Sequence, residues 1–97
     1  MRKQKKTVGL SDVKMIYEIT KHAKKVMEER GILDDWVAKT FSSPELIRPD
    51  PKDVQVEQRF RRIPEFGGRI LRVVLNKTVE PKRILSVFFD RAMKGKL

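Results

Sequence analysis

The chain has 97 residues, 39% of them hydrophobic, with 23 lysines and arginines against 13 acidic residues for a formal net charge of +10, one histidine and no cysteine. That length holds one small core and excludes two, and without cysteine there is neither a disulfide framework nor a thiolate metal site, so packing alone must hold the fold. No apolar run approaches the roughly 18 residues of a membrane span and no apolar signal core follows the basic start, so the protein is expected to be cytoplasmic and without membrane contact.

An excess of positive charge concentrates polyanions at the surface and favours nucleic acid or an acidic protein as partner; the alternative is that it confers solubility alone. Basic side chains gather in three places: an arm with Arg2, Lys3, Lys5 and Lys6, a group Arg59, Arg61, Arg62, Arg69 and Arg72, and a tail with Arg91, Lys94 and Lys96.

Residues 1–14 read as a basic flexible arm and 15–97 as a single domain. Met15, Tyr17 and Ile19 alternate with polar positions, which predicts a short strand or extended lead-in over Met15–Thr20. Thr20 is an N-cap residue, Ala23, Val26 and Met27 recur at helical spacing, and Gly31 suits a helix end, so Lys21–Arg30 is expected to be an amphipathic helix. The alternative, one long helix from Asp12 to Arg30 capped by Ser11, is disfavoured by the β-branched and aromatic residues between Ile16 and Thr20. A second helix is predicted over Ile32–Ser42, with Asp34 and Asp35 in its first turn, where the dipole favours negative charge, and a stripe of Leu33, Trp36, Val37 and Phe41. Glu45–Asp53, with two prolines, reads as a loop or edge strand.

Three β-type runs follow: Val56–Ile63, Arg69–Asn76 and Arg83–Phe89. Pro64–Gly68 separates the first two with a pair of glycines, and a polar turn containing Pro81 separates the last two. The expected fold is α+β, with two N-terminal helices packed on one face of a three- to four-stranded antiparallel sheet. Alternation puts Leu71, Val73 and Leu75 on one side with Leu85, Val87 and Phe89. The other side takes Ile70, Arg72, Val74, Ile84, Ser86 and Phe88, and gains Arg59 and Arg61 if Phe60 turns toward the core. The tail after Phe89 is expected to fray, given Gly95 and its charge.

One histidine and no cysteine leave only carboxylates as metal ligands, at spacings that form no recognisable loop, and no glycine-rich phosphate cradle is present, so no metal or cofactor is expected. What remains is metal-free chemistry on phosphate, which needs cationic donors and a group able to move a proton near neutral pH. Arg59, Arg61 and Arg72 are candidates for the first role and His22 for the second; Arg62, Arg69, Lys82, Arg83 and Arg91 are candidates for further RNA contacts. Phe60, Phe66 or Phe88 would supply base stacking if exposed. The structural alternatives are a boundary histidine packed on the sheet, and solvated arginines whose stems cover apolar neighbours.

Thr20, His22 and Ala23, the run Glu29–Ile32, Ser43–Glu45, and the pair Gly68–Val74 with Ile84–Phe89 resemble the small bacterial domain-of-unknown-function family 4258. Its signature is T-x-H-A, then E-R-G-I, then a glycine-led hairpin ending in an I-x-V-[FY] strand; the match runs from about Ile16 to Arg91 and its strength lies in the order of short motifs. That family is similar in fold to RelE and barnase-type toxins. The resemblance implies helices on an antiparallel sheet, ribonuclease activity without metal, and an antitoxin partner; among the candidate residues only His22 falls on a motif. The leading expectation is a toxin-type ribonuclease in which the RNA 2′-hydroxyl attacks the adjacent phosphorus, or an RNA-binding component of a toxin–antitoxin system. The rival is a non-catalytic nucleic-acid- or protein-binding module, and a third reading is a homodimer that buries Ile84 and Phe88 through the open sheet face.

Overall fold

The computed structural model describes residues 17–97; the basic arm, with Met15 and Ile16, lies outside them. The elements in chain order are β1 (Tyr17–Ile19), α1 (Lys21–Arg30), α2 (Asp34–Ser42), β2 (Leu46–Pro49), β3 (Val56–Ile63), β4 (Arg69–Asn76) and β5 (Lys82–Phe89). Short 3-10 turns follow β3 at Pro64–Phe66 and β5 at Arg91–Met93.

Helix α1 has the predicted bounds, and both of its ends are chemically closed. The Thr20 side chain accepts from the Ala23 N–H at 3.2 Å, satisfying one of the donors a helix start leaves open. At the other end Gly31 takes φ 66°, the left-handed conformation glycine adopts without a Cβ penalty. The reversal commits the Ile32 N–H to the Met27 carbonyl at 2.9 Å and buries Ile32. Helix α2 therefore starts at Asp34, two residues later than its apolar pattern suggests.

The sheet has five strands in the order β1-β5-β4-β3-β2 and is mixed, which corrects the three- to four-stranded antiparallel expectation. The meander β3-β4-β5 is antiparallel in register, with Phe60 opposite Arg72 and Arg72 opposite Phe88. The lead-in to α1 adds β1 parallel to β5, Ile19 pairing Ile84, and the proline-bearing segment adds β2 as an edge beside β3. The first is the short strand expected before Thr20, and the second takes the edge-strand alternative for Glu45–Asp53.

Both helices cover one face. Ala23, Met27, Trp36, Val37 and Phe41 pack on Leu71, Val73, Leu75, Ile84 and Val87, each large side chain contributing about 2 kcal/mol by burial. The predicted phase of β5 is corrected at its first half. Val74 pairs Ser86 but Leu75 pairs Ile84, so Leu85 is the extra residue of a β-bulge and Ile84 faces the helices. The bulge sits where α1 begins: the Thr20 N–H donates to the Ile84 carbonyl at 3.1 Å and its hydroxyl to the Leu85 carbonyl at 3.4 Å. Since Ile84 is fully buried under the helices, a dimer through the opposite face cannot use it.

The opposite face carries a second, smaller core. Phe60, Ile70 and Met93 are buried together, with Leu46 and Leu97 against them. The tail does not fray over this stretch. Asp90 donates its N–H to the Ile70 carbonyl at 2.9 Å, its carboxylate accepts from the Ala92 N–H at 2.9 Å, and the turn so fixed drops Met93 onto Phe60 and Ile70. Two isolated apolar residues in a charged tail have no periodicity, and only the fold reveals their seats.

Candidate nucleic-acid interface

The candidate arginines divide between the two faces because register, not charge, decides which way each one points. Arg59 pairs Val73 and Arg61 pairs Leu71, so both share the helix face. This corrects the expectation that they join Arg72: Phe60 turns to the opposite side, where it is itself completely buried. Arg59 donates to the Phe41 carbonyl at 2.6 Å and to Glu57 at 2.7 Å, with its guanidinium 4.6 Å from the Phe41 ring centroid. Arg61 donates to the Ser43 carbonyl at 2.7 Å. These bonds satisfy carbonyls that the end of α2 leaves open.

Arg72 lies on the opposite face between Phe60 and Phe88, 5.0 Å from each ring centroid, and pairs with Asp90 through its Nη2. His22 is exposed on α1, on the helix side. The set His22, Arg59, Arg61 and Arg72 is therefore not assembled around one point: Arg72 is separated from the other three by the sheet.

Of the five candidates for further RNA contacts, Arg62, Lys82 and Arg83 have carboxylate partners. Arg62 holds Glu45 through its backbone N–H and its Nε, both at 3.1 Å. Burial raises the Glu45 carboxyl pKa, but the two Arg62 bonds with the Arg62 and Arg61 charges outweigh it and hold the group below its ordinary value. Lys82 pairs Glu80 at 3.0 Å and Arg83 pairs Glu18 at 3.6 Å. On the helix side the pKa of the Tyr17 phenol, its ring tilted against Phe41 with centroids 4.7 Å apart, is pushed up by burial and by Asp34.

Arg69 and Arg91 are the candidates that come together. With Lys94 they line a cleft of about 320 Å³ where the β3–β4 turn meets the chain leaving β5; Gly67, Gly68, Ile70, Phe89 and Asp90 complete it. Gly67 and Gly68 have φ of 69° and 71°, which only glycine adopts readily, and they turn the chain into β4 so that Arg69 stands at the rim. The Arg69 guanidinium lies 4.8 Å from the Phe66 ring centroid. Phe66 is steadied by Trp36 at 5.1 Å and Phe89 at 5.0 Å. Of the three candidate stacking rings Phe66 is about one-third open to solvent, at 37%, whereas Phe60 is fully buried.

Among the described residues no ion pair engages Arg69, Arg91 or Lys94. The only carboxylate in the wall, Asp90, is held by Arg72 and the Ala92 N–H. Asp90 and Lys94 are the residues sequence reasoning missed at this site. Their signal was an aspartate closing a strand, followed by an arginine and then a lysine three residues on, one short turn that presents two cations. Among the described residues no group of three potential ligands could hold a metal ion, and no helix is long and apolar enough to cross a membrane.

Residues 19–89 match the model of a family described as a domain of unknown function, DUF4258. No curated protein and no solved structure matches the chain.

Proposed function

The chain belongs to the domain-of-unknown-function family DUF4258, a membership that assigns no activity, and from its geometry we propose that it is an RNA-binding protein that grips the phosphate backbone. The observation that carries this reading is the cleft lined by Arg69, Arg91 and Lys94, three cations without carboxylate partners among the described residues. A cation already paired in the folded protein must give up its partner to bind phosphate; one that is unpaired releases only water and counterions from itself and the nucleic acid. Arginine adds a planar fork that matches phosphate oxygens two at a time.

Binding rather than catalysis is the better-supported activity, because the proposed proton carrier and the proposed phosphate holders do not converge. The exposed His22 sits on the helix side, Arg59 and Arg61 cap α2, and Arg72 is locked between two rings on the far face. General acid–base work needs its group within hydrogen-bond reach of the moving proton.

Titrating the full chain into single-stranded and duplex RNA and into DNA at several salt concentrations tests the proposal. RNA binding that weakens in Arg69→Gln, Arg91→Gln and Lys94→Gln, with the salt slope falling by roughly 0.7 for each lost phosphate contact on a single strand, supports it. Binding indifferent to all three substitutions contradicts it. Cleavage of the bound RNA by the unaltered protein, lost in His22→Ala, would make the binding step part of a toxin-type ribonuclease.

A further inference from the structure

We infer, resting on the RNA-binding reading, that the cleft takes a phosphate monoester at an RNA end in preference to an internal phosphodiester. The argument is charge matching within a small space. Arg69, Arg91 and Lys94 bring three positive charges to one cleft of about 320 Å³, and Asp90 offers them little relief because Arg72 engages it. An internal phosphodiester carries a single negative charge, whereas a monoester carries about 1.5 to 2 near pH 7 and has three oxygens able to accept hydrogen bonds. Cations that serve a run of internal phosphates are spread along a groove that tracks the backbone. Here they are gathered at the end of the sheet, two of them on one short turn, Arg91 to Lys94, and the third across the cleft on β4.

The other walls suit a chain end. Gly67 and Gly68 have no side chain to keep phosphate oxygens from the backbone, and a Cβ built on either would meet no atom within 4 Å, so the space beside them is open. The half-buried Phe89 on the cleft wall gives an apolar surface against which the terminal ribose can lie. Arg69 is steadied over Phe66, so less freedom is lost when it closes on an anion.

Three RNA oligonucleotides of one sequence separate the possibilities when titrated calorimetrically with the full chain: one with a 5′-phosphate, one with a 3′-phosphate and one with hydroxyls at both ends. One phosphorylated form is expected to bind roughly tenfold tighter than the hydroxyl form, the equivalent of one added charge-assisted contact, and the end that does so identifies the source. The preference is expected to vanish in Arg91→Gln and Lys94→Gln, with thermal unfolding unchanged to show the fold intact. It is also expected to shrink at pH 5.5, as the monoester regains a proton with a pKa of about 6. Equal binding of all three oligonucleotides overturns the monoester assignment and leaves RNA binding standing; no binding of any overturns both.

Discussion

On the helix side of the sheet Arg59 and Arg61 donate to carbonyls at the end of α2, whereas at the cleft Arg69 and Arg91 have no carboxylate partner. All four belong to the same basic excess and look alike in the sequence. The contrast between them is one of position along the strands: Arg59 and Arg61 stand opposite Val73 and Leu71, within reach of the carbonyls at the end of α2, while Arg69, in the same phase but opposite Ile63, and Arg91 sit where a strand begins and where the chain leaves the sheet. A net charge of +10 therefore overstates what is available to a polyanion. What matters is the charge left over once helix ends and carboxylates have been satisfied.

The comparison is sharpest where the second core meets the tail. Phe60→Ala is expected to cost about 3 to 5 kcal/mol in a denaturant titration, as much as a large deletion beneath the helices. A loss below about 1 kcal/mol would mean that Met93 and Leu97 do not cover the opposite face. Arg72→Ala comes next, at about 3 kcal/mol, because it leaves the mostly buried Asp90 without its partner; Arg72→Lys should recover only part of this, as a compact ammonium cannot replace a planar group between two rings. Arg59→Ala is smaller, about 1.5 to 2 kcal/mol for a charge-assisted bond to a helix end, and should leave RNA affinity unchanged.

The smallest effect belongs to Glu45. Its carboxyl pKa is lowered in the folded protein, so its contribution to stability is complete above the ordinary carboxylate value of about 4.3 and is lost as pH falls through the folded value. The pair is largely open to solvent, with Arg62 54% exposed, so screening limits it to less than about 1 kcal/mol. Glu45→Gln should cost that amount at pH 7 and nothing at pH 2, measured by urea unfolding at each pH. An equal loss at both values would point to packing in place of charge.

The central meander and α1 were legible in the sequence because each carries a redundant signal: eight-residue β runs with turn residues between them, and a helix with a cap at both ends. The bounds of β3, β4 and α1 fall where the pattern puts them. Three features were not legible. The bulge at Leu85 shifts the phase of β5 by one residue, and nothing in its neighbours' chemistry marks it. The short strand before Thr20 was expected, but not its parallel pairing with β5, which lies far along the chain. The face taken by Arg59 and Arg61 depended on Phe60, which is apolar enough to suit either core; the tail that receives it on the far side carries only Met93 and Leu97. At the site, Arg69 and Arg91 were legible as basic residues at the start of β4 and just beyond β5. Their meeting with Lys94 depended on the turn that Asp90 caps.

The most direct test of the account sets the two groups of arginines against each other in one RNA-binding titration at fixed salt, with Arg59→Gln and Arg61→Gln in one variant and Arg69→Gln and Arg91→Gln in the other. The account predicts an affinity loss of at least roughly tenfold for the cleft pair and none for the helix-capping pair once the fraction folded is matched. Equal losses in the two variants, or a loss confined to Arg59 and Arg61, would contradict it.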